Sequence, residues 1–339
     1  MVKHQILFMN NIVVNSLVAD DMGTVLSDIE KCLSIFDSGD VINPGKCVMR
    51  WGNTPEDENM YGRINAMPGY IGGDVQIAGI KWIGSGPQNY KKGLPRASVT
   101  VILNDPDTKL PLAISDATTV SAKRTGAKGG LAVKYLAREK AETMLICGAG
   151  AQGRTQLEAA LIVRPELKTV YIYDLYYDRA QTFAAEMKGR FHIPVIPVET
   201  PEAAAQQADI IVTVTLANEP FIEADWLKKG CLIVQMADYE VTYDCVRKAD
   251  KIVCDTWEGI KHRNISPVAM MYHEGLITDD DIYCELGGII RGRKAGRESD
   301  DEIIYFNAVG MGIEDIYIVN HAYCIAKEIG AGVLLDYWQ

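Results

Sequence analysis

The sequence predicts an α/β chain in two parts: a doubly wound parallel sheet and a separate α+β domain. Three observations predict it. Strand and helix patterns alternate from residue 143 to residue 256. The strand runs there, such as Ile210-Ile211-Val212-Thr213-Val214-Thr215 and Leu232-Ile233-Val234-Gln235-Met236, are apolar almost throughout, as expected when both sheet faces are covered. The first 115 residues carry one amphipathic helix and then strand-rich sequence, an α+β pattern. With 339 residues the chain is long enough for two cores. The expected domains are residues 1–117 with 310–339, and residues 118–309.

In chain order, Met22, Val25, Ile29, Leu33 and Phe36 form an apolar stripe that predicts a helix over 20–36. After Pro44, strands are expected at 47–51, 77–83, 97–103 and 110–114, with a hairpin turn across 104–109. Residues 118–138 turn helical and lead into the second domain. Strands follow at 143–148, 169–174, 194–198, 209–215, 231–236 and 251–255, with helices at 152–163 and 178–190. Thr200 is an N-cap candidate, with Pro201 at the first helical position and Glu202 as an early acid. Residues 311–329 form a long helical pattern that returns to the first domain. The charged, glycine-containing run 292–302 reads as a solvated loop, with the mouth of a site as its alternative position.

Composition narrows the function. Hydrophobic residues are 48% and charged residues 23%, an ordinary globular balance. The net charge of −11 weighs against nucleic-acid or anionic-membrane partners. No apolar run reaches the length of a membrane span. Residues 1–6 lack a long apolar core with a cleavage site, so no signal peptide and a cytoplasmic location are expected. The eight cysteines include no C-x-x-C pair. Cys147, Cys231 and Cys254 lie in apolar runs, as buried thiols of a reducing compartment do. The five histidines are scattered without H-E-x-x-H, and no metal site is expected; His273-Glu274 reads as surface.

The segment Met144-Leu145-Ile146-Cys147-Gly148-Ala149-Gly150-Ala151-Gln152-Gly153 reads as a buried strand running through G-x-G-x-x-G into a helix. Gly148 permits the tight turn, Gly150 lets a pyrophosphate approach the backbone, and Gly153 lets helix and strand pack closely. The helix opening at Ala151 and Gln152 aims free N–H groups and its positive dipole end at phosphate. The next strand ends in Asp174, near the place where a carboxylate takes the ribose hydroxyls and repels a 2′-phosphate. The expected domain is therefore of Rossmann type, and the expected cofactor is NAD (NADH).

Further segments carry a resemblance. They are Ala66-Met67-Pro68-Gly69-Tyr70, Gly79-Ile80-Lys81-Trp82, Pro87-Gln88-Asn89, Gly93-Leu94-Pro95, Lys123-Arg124-Thr125-Gly126-Ala127, the loop 148–153, the run 212–215, and Val309-Gly310-Met311-Gly312-Ile313-Glu314-Asp315. In this order they resemble the ornithine cyclodeaminase/μ-crystallin family. Arg63, Ile71-Gly72-Gly73-Asp74, Pro95-Arg96-Ala97-Ser98 and Asp300-Asp301-Glu302-Ile303-Ile304 resemble the branch whose NAD enzymes yield 2,3-diaminopropionate for siderophore synthesis. The resemblance implies a nucleotide domain plus a substrate domain whose strands join a barrel spanning a homodimer. It places Lys81 beside the substrate carboxylate and reacting carbon, and Met67 in the pocket wall. It places Arg124 at the pyrophosphate, and Thr125, Thr215, Met236 and Val309 beside the cofactor. The family's carboxylate arginine falls on Arg50, with Lys46 as the alternative. Asn65 stands where ornithine cyclodeaminases have an acid near the distal amine, which argues against ornithine as substrate, and Arg96 stands where they have a threonine. The family's catalytic acid falls near Gln235-Met236-Ala237-Asp238-Tyr239; an ungapped alignment puts Tyr239 there, and Asp238 is the chosen residue.

The residue types suit removal of a hydride from an amino-acid Cα. Arg50, Lys81, Arg63 and Arg96 supply cations for substrate carboxylates. Lys81, among apolar Ile80, Trp82 and Ile83, suits proton transfer from a desolvated site. Asp238 suits deprotonation of the amine or activation of water. Three outcomes stay open: an NAD-dependent dehydrogenase that oxidises a secondary amine to an imine, a cyclodeaminase that recycles NAD, and a ketimine reductase or cofactor binder of μ-crystallin type. The expected partner is a small amino-acid-derived substrate.

Overall fold

The computed structural model describes residues 3–52 and 62–338; Met1 and Val2, part of the start read above, lie outside them. The chain divides into two units, Met1–Arg124 with Met311–Gln339, and Thr125–Gly310. The first unit runs β1 (His4–Met9), α1 (Met22–Ser38), β2 (Val41–Ile42), β3 (Cys47–Trp51), β4 (Gly62–Ile71), β5 (Ile77–Ser85), β6 (Ala97–Asn104), β7 (Pro111–Asp116) and the opening of α2 (Thr118–Leu136). The second unit takes the rest of α2, then β8 (Thr143–Cys147), α3 (Ala151–Val163), β9 (Thr169–Tyr173), α4 (Tyr177–Phe191), β10 (Val195–Val198), β11 (Ile210–Thr213), β12 (Leu232–Gln235), β13 (Lys251–Cys254), α5 (Trp257–Arg263), β14 (Cys284–Glu285) and β15 (Ile304–Asn307). The chain re-enters the first unit through α6 (Gly312–Ile329) and β16 (Val333–Trp338).

In the first unit, one sheet has the order β16-β1-β7-β6-β5-β4-β2, with β3 also on β4. All its pairings are antiparallel except β1 with β7. The helix expected over 20–36 sits two residues later. Asp21 caps it by accepting from Gly23 and Thr24 N–H, and left-handed Gly39 ends it. Its stripe, Met22, Val25, Ile29 and Leu33, is buried. Helix α6 lies on β4, β5 and β6. Glycines allow that approach: a Cβ on Gly69 would stand 2.6 Å from the Ile313 side chain, and one on Gly312 would stand 2.5 Å from the Met67 carbonyl oxygen.

In the second unit all strands are parallel, in the order β10-β9-β8-β11-β12-β15-β13-β14. The order reverses direction at β8 and β11, the switch point where such sheets open a crevice at their carboxyl ends. The sheet interior is dry: every residue of β11, β12, β13 and β15 is buried. Two expectations need correction, and the place of one further strand was not expected at all. Strand β15 inserts between β12 and β13, a position the strand–helix alternation does not reveal. The short helix after Thr200 begins at Glu202, with Pro201 itself as its cap. The charged run 292–302 is no site mouth: it feeds the amino end of β15, and Lys251, first residue of β13, pairs with its Glu298 and Glu302.

Candidate active site

The carboxyl ends of five neighbouring strands form one row, Tyr173–Cys147–Thr213–Gln235–Asn307, by register. Apart from Thr125, which lies within α2, the expected cofactor residues of the second unit follow on that row in the loops that leave the strand ends. Gly148 takes φ +116°, and a Cβ there would come within 2.9 Å of the Val214 carbonyl oxygen. A Cβ on Gly153 would strike the Gly148 carbonyl oxygen at 2.2 Å, while one on Gly150 would meet nothing. The turn, the packing and the open approach thus fall on the glycines expected for each. Gly150 caps α3 without a side-chain hydrogen bond, so the first N–H groups of Ala151, Gln152 and Gly153 are left for an anion. Asp174 braces this loop: Ala149 N–H donates to one carboxylate oxygen at 2.9 Å and Tyr176 N–H to the other at 3.1 Å. Arg154, which the motif does not single out, donates to the Ala149 and Gly150 carbonyls and pairs with Glu186. This cradle fits a dinucleotide: a free helix terminus, an open glycine and a carboxylate at the next strand end.

Thr215 leaves β11 with its N–H and hydroxyl both donating to one oxygen of Glu240, at 2.6 and 2.7 Å. Glu240 is fully buried, and burial pushes its carboxyl above the ordinary range, partly offset by the Thr215 bonds. Met236 N–H donates to the Thr213 carbonyl at the end of β12. Asp238 is half-exposed; Arg263 donates to its carboxylate at 2.8 Å, and Gln235 holds its carbonyl oxygen. Gln235 in turn accepts from the buried Tyr305 hydroxyl at 2.6 Å. Tyr239, the ungapped alternative, turns its ring to Tyr243. Val309 and Gly310 donate their N–H groups to Asp255, which also accepts from Lys128; both side chains of that pair are closed to solvent. Thr125 accepts from Gln156 through its carbonyl, tying α2 to α3.

In the first unit, Lys81 pairs in register with Met67 on one side and Val101 on the other. Its side chain is 1% exposed, and its ammonium donates to both oxygens of Asp315 and to the Ser121 hydroxyl, each at 2.8 Å. Burial pushes the Lys81 amine down to about 8; the neighbouring Arg124 adds to this, and Asp315 and Glu314 oppose it. Arg124 donates to Glu314 at 2.8 Å, and its Nε stands 3.2 Å from Asp315. Asp315, Glu314 and Ser121 surround Lys81 without being candidates of the sequence reading, although Glu314 and Asp315 end the 309–315 segment that carries the resemblance and stand as two acids inside the apolar pattern of α6.

Arg50 and Arg63 face each other directly across β3 and β4. Arg63 and Met67 are four residues apart on β4, so the arginine pair and Lys81 lie on the same face of the sheet, about 13 Å apart along the strand. Like charges directly opposite are unfavourable, and among the described residues no carboxylate is paired with either arginine. Arg96 is exposed in the turn before β6, and its carbonyl accepts from Gly86. Lys46 lies just before β3.

Residues 3–328 match the profile of the ornithine cyclodeaminase/mu-crystallin family. The chain belongs to that family. It is 32% identical to the N-((2S)-2-amino-2-carboxyethyl)-L-glutamate dehydrogenase of Staphylococcus aureus over 98% of this chain and 99% of that protein. Among solved structures, Thermococcus litoralis Δ1-pyrroline-2-carboxylate reductase, in complex with NADH and L-proline, superposes with a TM-score of 0.88 at 34% identity, covering 97% of this chain and 99% of that one. An archaeal alanine dehydrogenase dimer with bound NAD gives a TM-score of 0.88 at 30% identity, covering 99% and 100%. The Rossmann-type fold, the NAD cofactor and the redox character expected from the sequence agree with these members of the ornithine cyclodeaminase/mu-crystallin family. The chain is an NAD-dependent enzyme of that family acting on amino-acid-derived C–N bonds.

Proposed function

We propose that the protein oxidises a secondary amine that joins two amino-acid moieties, with N-(2-amino-2-carboxyethyl)-L-glutamate as the substrate type. The observation that carries this choice is the Arg50–Arg63 cross-strand pair on the Lys81 face. A substrate with one carboxylate has no need of two further arginines, whereas a tricarboxylate offers them bidentate partners. The full-length likeness to the S. aureus dehydrogenase points the same way.

NAD, when bound, supplies the acceptor for the hydride that leaves the glutamate Cα. The amine proton passes to Lys81, whose depressed proton affinity lets it serve near neutral pH. Arg50, Arg63 and Arg96 hold carboxylates, and Met67 lines the substrate's apolar stem. Asp238, kept in place by Arg263 and Gln235, activates the water that adds to the C=N carbon. Hydrolysis then splits the imine into 2-oxoglutarate and 2,3-diaminopropionate. The residues at the ends of β8, β9, β11, β12 and β15, with Arg124 and Thr125, hold the cofactor. Incubation with NAD and N-(2-amino-2-carboxyethyl)-L-glutamate should give NADH and 2-oxoglutarate in equal amounts. Proline and ammonia from ornithine without net NADH would refute the proposal.

A second function, reduction of a cyclic imine, is favoured by the 34% identical relative that holds NADH and L-proline. Oxidation of NADH by Δ1-pyrroline-2-carboxylate at a higher kcat/KM than the amine reaction would select it.

We also assign the protein to a homodimer in the cytoplasm. Register places Val333, Phe8, Ile114, Ile102, Ile80 and Pro68 in one apolar row across six strands, on the sheet face away from α6. Phe8 is 39% and Val333 55% exposed, which leaves an apolar surface for a second copy. Light scattering at the monomer mass would contradict this.

A further inference from the structure

Two neighbouring acids open α6, and they divide their hydrogen bonds unequally. Glu314 accepts from Arg124 at 2.8 Å. Asp315 accepts from Lys81 on both oxygens at 2.8 Å, and its Oδ2 also stands 3.2 Å from Arg124 Nε. Ser121, on α2, accepts from Lys81 at 2.8 Å. Lys81, Glu314 and Asp315 are closed to solvent. Their helix neighbours Ile313 and Ile316 pack on Gly69 and Gly79, so this face of α6 is otherwise an apolar, sheet-facing one. Buried ion pairs are often no more stable than apolar packing in the same place, so their presence on this face points to a role other than stability.

We propose that Asp315 is a positioning residue serving two groups at once, fixing Lys81 for the proton that leaves the substrate amine and Arg124 for the cofactor pyrophosphate. The inference rests on the function proposed above. In the oxidation the Cα–H bond breaks with its electron pair going to NAD, the nitrogen lone pair forms the C=N bond, and the N–H proton goes to neutral Lys81 Nζ. Asp315 holds that nitrogen by two contacts and reaches Arg124 through the same carboxylate. The charged groups around Lys81 are Arg124 on α2 and Glu314 and Asp315 on α6; its strand partners Met67 and Val101 carry no charge.

The test uses the full chain, three test variants and one assignment variant, with two readouts. NADH affinity is read by fluorescence titration. Lys81 protonation is read by the pH limb of kcat/KM and, without any substrate, by NMR of 15N-lysine-labelled protein assigned against Lys81→Arg. Asp315→Asn should move both: removing the negative charge should lower the Lys81 limb by about one pH unit, and NADH affinity should fall about tenfold. Glu314→Gln should chiefly weaken NADH, and Ser121→Ala should chiefly move the limb. Asp315→Asn moving one readout or neither overturns the proposal. If that variant does not fold, a Glu314→Gln and Ser121→Ala pair that fails to separate the two readouts overturns it. Wild-type protein that oxidises no secondary amine but behaves as stated in the titrations refutes the substrate while leaving the role of Asp315 standing.

Discussion

Each unit of the molecule contains a lysine–aspartate pair sealed from water, and the two are built for different ends. In the second unit, Asp255 accepts from Lys128 and also from the N–H groups of Thr256, Val309 and Gly310. Burial works to raise its proton affinity, but Lys128 and the amides of Gly310 and Val309 more than offset it and hold the carboxyl below its ordinary range. Both oxygens of that carboxylate are held by backbone amides, and one of them by Lys128 as well. In the first unit, Asp315 is flanked by two cations, and burial together with Arg124 pushes Lys81 down to about 8. The first arrangement fixes backbone; the second leaves a proton easy to move. Burial of an ion pair therefore does not by itself mark a reactive site. At Lys81, burial acts first and the neighbouring Arg124 guanidinium adds to it.

This contrast can be broken by mutation. Lys81→Ala should reduce turnover by about 10²- to 10⁴-fold while NADH still binds, and wild-type oxidation should rise with pH through the value near 8 at which Lys81 becomes neutral. Unchanged turnover in steady-state assays would remove Lys81 from the chemistry. Lys128→Met should instead lower the unfolding free energy by about 3–5 kcal/mol, measured in urea, because it strands a buried carboxylate; the pH limb should stay where it is. Arg63→Ala should raise the KM for the tricarboxylate by about tenfold or more with kcat little changed, as expected for a lost charged hydrogen bond. Asp174→Ala should weaken NAD binding by about fivefold or narrow its preference over NADP. Equal affinities before and after would displace Asp174 from the ribose.

The two units also differed in how much of them could be read in advance. The second unit's strands are near-continuous apolar runs separated by helices, so their number and order of appearance were legible; β15 was not, because its four residues follow a charged loop and its place in the sheet depends on pairing far along the chain. In the first unit, β4 hides behind Gly62, Asn65, Pro68 and Gly69, a composition poor in strand formers. Pro68 lies opposite the gap between β2, which pairs at residues 70 and 71, and β3, which pairs at 62–66, so β4 tolerates it there. The glycine cradle and Asp174 are local motifs and could be placed from spacing. Lys81 could be singled out, but its partner Asp315 lies 234 residues away, and neither periodicity nor motif spacing brings them together. Glu240 and Asp255 were invisible for the same reason.

The most direct test of a net oxidation at a C–N bond follows the hydrogen itself. N-(2-amino-2-carboxyethyl)-L-glutamate deuterated at the glutamate Cα is incubated with NAD and the protein, and the label is traced by mass spectrometry. One deuterium per turnover should appear in the reduced nicotinamide, with unlabelled 2-oxoglutarate as the other product. Label found in an amino-acid product, returned from the cofactor, or label lost to solvent would contradict the account.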